Sequence, residues 1–263
     1  MLRRYSRLIA IFMGASLSAQ LEYRANFVVN LIETLLRMVG SYLGLTILVG
    51  NSQNLGGWSL PEAAVVLGIF TLFDGLMSMA LAPNLNRIAE GVRTGTMDFT
   101  LLKPIDAQFL VSFRNLNLLR LPDVFLGLGI MIWAIWQLEP RPDLLGLALG
   151  CLLLLSAYFM VYSIWFMLAT TAFWFVRVEN ITELFWGFYR AGQFPVTVFP
   201  GWMRLFFTFI IPIAFITTVP AQAFTGKLET ISVWISLFLA FGLFLASRWF
   251  WRFALRSYTS ASS

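Results

Sequence analysis

Histidine is absent from the sequence, and cysteine occurs once, at Cys151, among 263 residues. Zinc sites, haem attachment, disulfide bonds and cysteine–histidine catalysis therefore have no residues to build them. Charge is also scarce, because only 12% of the residues are charged, whereas soluble globular proteins average about 25%. By contrast, 59% are hydrophobic and the mean hydropathy is +0.79. This composition indicates an all-α integral membrane protein whose apolar helices cross the bilayer several times.

The sequence also lacks a nucleotide-binding motif. No segment fits the GxxxxGK[ST] phosphate loop, and the glycines of EGVRTGT (residues 90–96) have neither its spacing nor its lysine. Basic residues are scattered along apolar segments, so the net charge of +5 does not indicate nucleic-acid binding. The chain is expected to be non-catalytic and to hold no metal or cofactor. Any ATP hydrolysis that drives it must then occur on another polypeptide.

Apolar blocks recur along the whole chain, and most are long enough to cross a hydrocarbon core of about 30 Å as helices. No internal repeat or composition shift separates them, which predicts a single membrane domain over residues 1–263. The blocks are Ala25–Val49, Pro61–Ala82, Leu121–Leu138, Leu144–Phe175, Thr182–Pro200, Met203–Phe224 and Ile231–Phe250.

The distribution of lysine and arginine indicates an even number of crossings. The N-terminal arm and the C-terminal tail are both basic, and basic flanks tend to stay in the cytoplasm. One block therefore should not cross, and Met203–Phe224 is the best choice because Pro212 and Pro220 interrupt its helical hydrogen bonds. We predict six crossings, cytoplasmic termini and an extracellular-side re-entrant segment over residues 201–226. The alternative is a seventh, proline-kinked span, which would place the basic C-terminal tail outside.

The first twenty residues have two interpretations. Basic residues, a short apolar run and the small residues SLSA imitate a secretory signal peptide. The apolar run is short, however, and cleavage would leave Arg24 at the outer face, against the positive-inside tendency. We instead predict that Leu2–Gln20, within residues 1–24, is a helix lying along the cytoplasmic interface.

The longest polar connection, residues 83–120, lies between the second and third spans. With six crossings it is cytoplasmic, and a second cytoplasmic loop contains Arg177. Within residues 83–120, Arg87 and Glu90 are three apart on a short predicted helix. Gly91 and Gly95 permit close approach or a positive φ, and Pro104 ends the stretch after these glycines. Such a compact charged projection suits contact with a soluble partner. The alternative is a solvated turn whose charges only fix the topology.

Four of the ionisable residues inside predicted spans are candidate functional residues, because charges there are costly and usually face a partner or a wet cavity. They are Glu33 and Arg37 on the first span, Asp74 on the second and Arg190 on the fifth. One interpretation is an ion-pair network that holds spans one, two and five in register. The other is that Arg37 or Arg190 faces a central pathway and attracts an anionic headgroup.

The re-entrant segment is expected to place polar groups at the outer mouth of a pathway. Backbone carbonyls freed by the two prolines cannot face lipid without a cost of several kcal/mol, so protein or water must cover them. The segment TTVPAQ supplies hydroxyl and amide groups for such a position. The exit-side candidates are Pro212, Thr217, Thr218, Pro220 and Gln222.

The order of these features resembles a known family. An amphipathic N-terminal helix, six spans, GTMDFTLLKP between spans two and three, and a proline-broken block before the last span are similar to the permease subunits of bacterial ATP-binding-cassette exporters of the type-two class. The segments LEYRANF (Leu21–Phe27), FWFVRVEN (Phe173–Asn180) and PGWMRLFF (Pro200–Phe207) resemble a bacterial subgroup. The resemblance covers essentially the whole chain.

The resemblance implies a set of partners and roles. Residues 83–120 would contain a coupling helix seated in a groove of a separate ATPase subunit, which binds ATP and magnesium. Two ATPase copies and a second permease, identical or related, would complete the complex in the bacterial inner membrane. The coupling residues implied are Arg87, Glu90, Gly91, Arg93, Gly95, Thr96, Met97 and Asp98.

The function expected is ATP-driven export or flipping of a lipid-like, glycolipid or amphipathic substrate, with membrane lipids around the chain. The alternative is an ATP-independent carrier or a structural membrane scaffold. Secondary carriers often contain paired inverted repeats with broken helices, and the sequence contains one proline-broken block without a counterpart.

Overall fold

The computed structural model describes residues 2–20, 24–52, 56–175 and 179–258, and the regular elements in these ranges are helical. The predicted all-α fold class is thereby confirmed. The α-helices are α1 (Leu2–Gln20), α2 (Arg24–Ser52), α3 (Leu60–Leu76), α4 (Ala82–Arg93), α5 (Met97–Leu101), α6 (Ala107–Phe113), α7 (Leu121–Trp136), α8 (Leu144–Thr170), α9 (Glu179–Tyr189), α10 (Gly201–Leu205), α11 (Val219–Phe224) and α12 (Thr230–Arg256). Turns of 3₁₀ helix occupy Leu118–Arg120, Thr171–Phe173, Arg190–Gln193 and Val196–Val198, and π-helical turns occupy Met77–Leu81, Phe206–Ile210 and Ala214–Thr218.

Five helical stretches in the described ranges are long and apolar enough to cross a membrane. A sixth is present if the bent pair Gly201–Ile210 and Ala214–Phe224 counts as one span. The prediction of a multi-span helical protein is confirmed in this form. The five stretches are Phe27–Ile47, Leu60–Arg93, Leu118–Trp136, Leu144–Phe173 and Thr230–Arg256. Arg177 and Leu21–Tyr23, which carry parts of the topology and of the resemblance, lie outside the described residues.

The predicted fifth span, Thr182–Pro200, is not a continuous helix in the structure. Helix α9 has 11 residues and ends at Tyr189; a 3₁₀ turn comes next, and Phe194 is extended (φ −115°, ψ 149°). Pro195 explains this end, because proline disfavours a helical conformation at the residue before it. At 1.5 Å per residue, α9 covers roughly 17 Å, about half of a hydrocarbon core.

Helices α3 and α7 pack closely against each other, and glycines at their contact allow the approach. A Cβ on Gly127 would lie 2.3 Å from the backbone nitrogen of Leu72, and a Cβ on Gly75 would lie 2.7 Å from that of Val124. Small residues of this kind let helix backbones pack closely within membranes.

Helix α3 lies at the centre of the fold, whereas α2 and α12 lie at its edge. Residues Ala63–Ile69 are buried on all sides, while most of the residues of α2 and α12 that fall within the spans are at least partly exposed. The exposed side chains on α2 and α12 include Leu36, Ile47, Phe238 and Phe241. These apolar faces suit lipid or another membrane protein as neighbour.

The connection between α11 and α12 is fixed to the start of α3. Lys227 Nζ lies 2.6 Å from Glu62 Oε2 and donates to Gly57 O at 2.7 Å. The same carboxylate accepts the backbone N–H of Ser59, which immediately precedes α3. The C-terminal end of α11 and the N-terminal end of α3 therefore lie at the same end of the molecule.

Candidate coupling surface and intramembrane charge network

The predicted coupling segment begins with α4, which continues α3, and the chain reverses direction after α4. Helix α4 ends at Arg93 with Thr94 as its C-cap, and Gly95 has a φ of +72°, a conformation that favours glycine. Helix α5 then folds back so that the buried Met97 packs near Gly91. Arg87, Glu90, Arg93 and Thr96 are exposed, while Gly91, Gly95 and Asp98 are partly exposed.

Two exposed apolar side chains on the predicted coupling segment were not predicted from the sequence. Phe99 on α5 is 70% exposed, and Leu102, directly after α5, is 81% exposed. Lys103 and Arg93 nearby are also exposed. The tip of the segment therefore presents a small apolar surface with basic neighbours. The sequence signal for it was the position of Phe99 and Leu102 between the charged residues Asp98 and Lys103.

The return of the segment to the spans is held by a buried asparagine. Asn84, 3% exposed, donates through Nδ2 to Ala80 O (2.7 Å) and Asn115 O (2.6 Å). Its Oδ1 accepts the backbone N–H of Asn115 at 2.8 Å. Beside it, Asn117 N donates to Met79 O, a carbonyl in the π-helical turn. The irregular stretch after α6 is thus fixed to the α3–α4 junction.

Helix α1 holds the same stretch from the other side. Gln20 donates through Nε2 to Leu116 O at 2.6 Å and accepts the N–H of Leu118 at 2.8 Å. Ser16 Oγ accepts the N–H of Leu116 at 3.2 Å. The predicted N-terminal helix is therefore joined to the segment between spans two and three.

A third attachment joins the segment to the last span. Arg248 on α12 donates to both carboxylate oxygens of Asp106, at 2.9 and 2.8 Å, and to Gln108 Oε1 at 3.2 Å. Gln108 Nε2 donates to Tyr162 Oη on α8, which lies 2.9 Å from Ser112 Oγ. Helix α6 is therefore attached to α8 and α12.

Asp106 also caps α6 by accepting the N–H of Phe109 at 2.9 Å. Burial raises the pKa of its carboxyl, but the hydrogen bonds from Arg248 and Phe109, together with the positive charges of Arg248 and Arg252, lower the pKa more. The net pKa is below the usual value of an aspartate, so the carboxylate that accepts these bonds is the favoured form.

The intramembrane charges meet around an aspartate that was not predicted. Asp123 on α7 is 2% exposed; its Oδ1 lies 2.9 Å from Arg37 Nη2 and also accepts the hydroxyl of Thr34. Arg37 Nη1 lies 3.1 Å from Asp74 Oδ2. Asp123 comes directly after Pro122 at the edge of an apolar block, and its spacing of three from Arg120 was the signal that could have identified it.

The structure brings only some of the predicted charges together. Arg37 and Asp74 are in contact, whereas Glu33 is nearest to Arg120, at 3.9 Å, rather than to Arg37. Arg190 interacts electrostatically with Asp74, but none of the ion pairs described includes it. Direct contacts therefore link α2, α3 and α7, the first three spans, instead of spans one, two and five.

The proline-broken block is bent by 77° between Ile210 and Ala214. Thr217 and Thr218 are buried; Thr218 Oγ1 accepts the N–H of Val196 at 3.0 Å, and Thr217 Oγ1 donates to Ile213 O at 3.4 Å. Pro212 and Pro220 are buried as well, and Gln222 is partly exposed. The two hydroxyls predicted to line a wet mouth are thus bonded within the protein.

Within the described ranges, no group of three or more Cys, Asp or Glu is placed to hold a metal ion. The hydrogen bonds of Asn84 and Asp106 instead attach the polar segment to helices long enough to cross a membrane, and those of Gln20 attach it to α1. A family model described as ABC-2 family transporter protein matches residues 35–262. The comparisons with curated proteins and with solved structures produced no match. Because the matched range covers most of the chain, the protein belongs to the ABC-2 family, as a membrane-embedded transport permease.

Proposed function

We propose that the chain is the permease subunit of an ATP-driven exporter or flippase, whose ATP is hydrolysed by a separate ABC ATPase. The observation that carries this proposal is the exposed apolar pair Phe99 and Leu102 at the tip of a polar projection. Apolar side chains surrounded by charge are typical of the buried centre and polar rim of a protein interface. Family membership implies an ABC ATPase as the partner.

The attachments of the segment suit it to transmit force. Asn84 fixes it to α3 and α4, Gln20 fixes it to α1, and Asp106 fixes it to α12. A displacement at Phe99 therefore reaches three parts of the membrane domain through hydrogen-bonded contacts rather than through a flexible linker. Two ATPase copies and a second permease would give the complex two such segments, with the termini in the cytoplasm of a bacterial inner membrane.

The break near Pro212 supports a re-entrant hairpin entered from outside. Gly192, beside the bend, packs against Ile213 and Thr217. The neighbouring Tyr189 stacks on Phe70, with ring centroids 5.1 Å apart, and Phe70 is ten residues into α3, roughly 15 Å below its outer end.

Both ends of the broken block return toward the outer end. Thr197, before the block, lies against Gly56, which precedes α3. Phe224, the last residue of the block, packs on Gly150 near the start of α8. Such a path from the outer face to mid-depth and back favours the hairpin over a seventh span. The hairpin would wall the exit of the transport pathway.

The substrate class that suits the fold is lipid-like or amphipathic. Wide apolar faces on α2 and α12 are open to lipid or to the second permease. Arg37 is a partly open cation of the charge network, with 44% of its side chain exposed. Its two aspartate partners favour the interpretation that the network holds α2, α3 and α7 together, with anion attraction as the second role.

Copurification tests the proposal. The tagged chain, expressed in its own host, is expected to retain an ABC ATPase, and the double substitution Phe99→Ser/Leu102→Ser should remove most of it. Glu90→Lys and Arg93→Glu should weaken the association or uncouple ATP hydrolysis while membrane insertion is preserved. Trp202→Ser, at an equally exposed residue of α10, is the matched control.

Unchanged ATPase recovery with the Phe99/Leu102 variant would remove the proposed docking surface. If no ATPase accompanies even the unaltered chain, an ATP-independent carrier or scaffold becomes the better description.

A further inference from the structure

A cavity of about 870 Å³ lies between α1, the α3–α4 junction and the irregular stretch after α6. Its walls include Ser16 and Gln20 of α1, Arg87 and Glu90 of α4, and Arg114 and Arg120 of the connection to α7. The volume is in the range of small-molecule sites. Arg87 and Glu90 also belong to the proposed coupling segment, but the proposed transport function assigns no ligand to the cavity itself.

The charge of the cavity favours an anion. Three arginines and one glutamate line it. Arg120 is partly committed to Asp123, at 3.6 Å, and to Glu33. Arg114 is exposed, and none of the ion pairs described includes it. The cavity therefore holds cationic charge beyond what its own carboxylate balances.

One of the arginines is held in place before any ligand arrives. Arg87 Nη1 donates to Asn115 Oδ1 at 3.1 Å, and Asn115 is fixed by the buried Asn84 through its backbone N–H and carbonyl and through its side chain. Guanidinium groups bind phosphate through paired N–H donors, and fixing such a group in advance reduces the entropy lost on binding.

An exposed apolar strip runs beside the cavity along α1. Ile9, Met13 and Leu17 are exposed and four apart, and Phe12, Ser16 and Gln20, also four apart, line the cavity. Each member of the first strip lies three residues before a member of the second, so the strips are neighbours on the helix surface. A ligand that fits both has a charged end and an apolar end.

We propose that this cavity binds the phosphate headgroup of an anionic phospholipid of the cytoplasmic leaflet, with the acyl chains beside Ile9, Met13 and Leu17. The proposal goes beyond the transport function and depends on it only for the choice of leaflet. Gln20 of α1 bonds to the stretch that leads from α6 to α7, and Arg114 lies at the start of that stretch. A bound lipid would therefore connect α1 to the proposed coupling segment.

Native mass spectrometry of the full-length permease in neutral phosphatidylcholine nanodiscs tests the site, with phosphatidylglycerol as the titrated lipid. The unaltered chain should bind phosphatidylglycerol in preference to added phosphatidylcholine. Arg114→Gln should weaken this binding several-fold and Arg87→Gln/Arg114→Gln about tenfold or more, since hydrogen bonds between ions are the strong ones. The Arg→Lys versions should bind more than the Arg→Gln versions but less than the unaltered chain, since lysine keeps the charge and loses the paired donors. Arg141→Gln, far from the cavity in the connection between α7 and α8, should retain all of the binding.

Equal binding of the two lipids, or full binding by the Arg87→Gln/Arg114→Gln variant, would overturn the proposal. A second arm uses sn-glycerol 3-phosphate and the variant Met13→Gln/Leu17→Gln. If the soluble phosphate competes as well as the lipid and this variant still binds the lipid normally, the site recognises a phosphate group alone, and the proposed contact with the acyl chains is overturned. If the arginine variant loses the ATPase but not the lipid, the cavity is a protein-docking surface; loss of the lipid with normal ATPase recovery supports the lipid site alone. Thermal unfolding like that of the unaltered chain confirms that each variant is folded.

Discussion

Arg248 and Asp106, 142 positions apart in the sequence, form a two-bond ion pair between the last span and the residue that caps α6. Both side chains are about one-third exposed, and such a paired geometry is among the stronger charge contacts in proteins. The lowered pKa of Asp106 sets the pH range of the contact. It stabilises the fold above the usual aspartate pKa of about 3.9 and is lost as the pH falls through the lowered folded-state value.

A double-mutant cycle measures this contact. Asp106→Asn and Arg248→Gln should each lower the free energy of unfolding, and the double variant should cost less than their sum, with a coupling energy of about 1 kcal/mol. The measurement is denaturant unfolding of the purified chain. Arg256→Gln, at an exposed residue two turns further along α12, should change the free energy of unfolding little. Additive losses would show that the two side chains contribute independently.

The sequence predicted the apolar crossings and the break at Pro212 because both have local causes. A long apolar run needs only its own length to be recognised, and a proline breaks helical hydrogen bonding wherever it lies. The shortened fifth span had a local signal as well, in Pro195, but the apolar block around it concealed the loss of helix. Length and hydropathy alone therefore overestimated one span.

The contacts of the site depended on residues far apart in the sequence. Asp123 and Arg37 are 86 positions apart, and only the close packing of α3 on α7 brings Asp123 to the network. Asn84, Gln20 and Asp106 are ordinary polar residues in the sequence. The roles of Asn84 and Gln20 come from backbone groups supplied by other elements, and that of Asp106 comes from the side chain of Arg248. No spacing rule identifies such contacts.

The α3–α7 contact predicts different outcomes for two glycines on one helix. Gly127→Ala places a Cβ 2.3 Å from Leu72 N, and because this atom is backbone, the helices must separate; we expect destabilisation of about 1–3 kcal/mol. Gly129→Ala meets nothing within 4 Å and should be neutral or slightly stabilising, since alanine favours helix. Thermal unfolding in detergent compares the two variants. Equal stability of the two would contradict the close packing.

Asn84 predicts a local effect on the return of the coupling segment. Asn84→Leu removes the partners of the part-buried N–H and carbonyl of Asn115, at a cost of at most about 1–3 kcal/mol for each unsatisfied group. Hydrogen exchange should become faster at Asn115 and Leu116 and change less at the distant start of α8. Asn86→Leu, on the same helix but exposed, is the control. Exchange rates that respond alike to both substitutions would show that Asn84 does not hold this stretch.

The broken block gives the prediction with the widest consequence. Its bend lies beside Gly192 and its ends lie near Gly56 and Gly150, so a hairpin open to the outer face should make both ends accessible from that side. After the exposed Cys151 is replaced by alanine, single cysteines from Pro200 to Thr225 are labelled in intact cells with a membrane-impermeant maleimide. Labelling should be high near Pro200, fall toward Pro212 and rise again toward Thr225, with Ser257→Cys labelled only after lysis. A steady decline from Pro200 to Thr225, with Ser257→Cys labelled from outside, would instead identify a crossing segment and reverse the orientation of α12. The Arg248–Asp106 contact would then lie at the external face, where no ATPase could reach it.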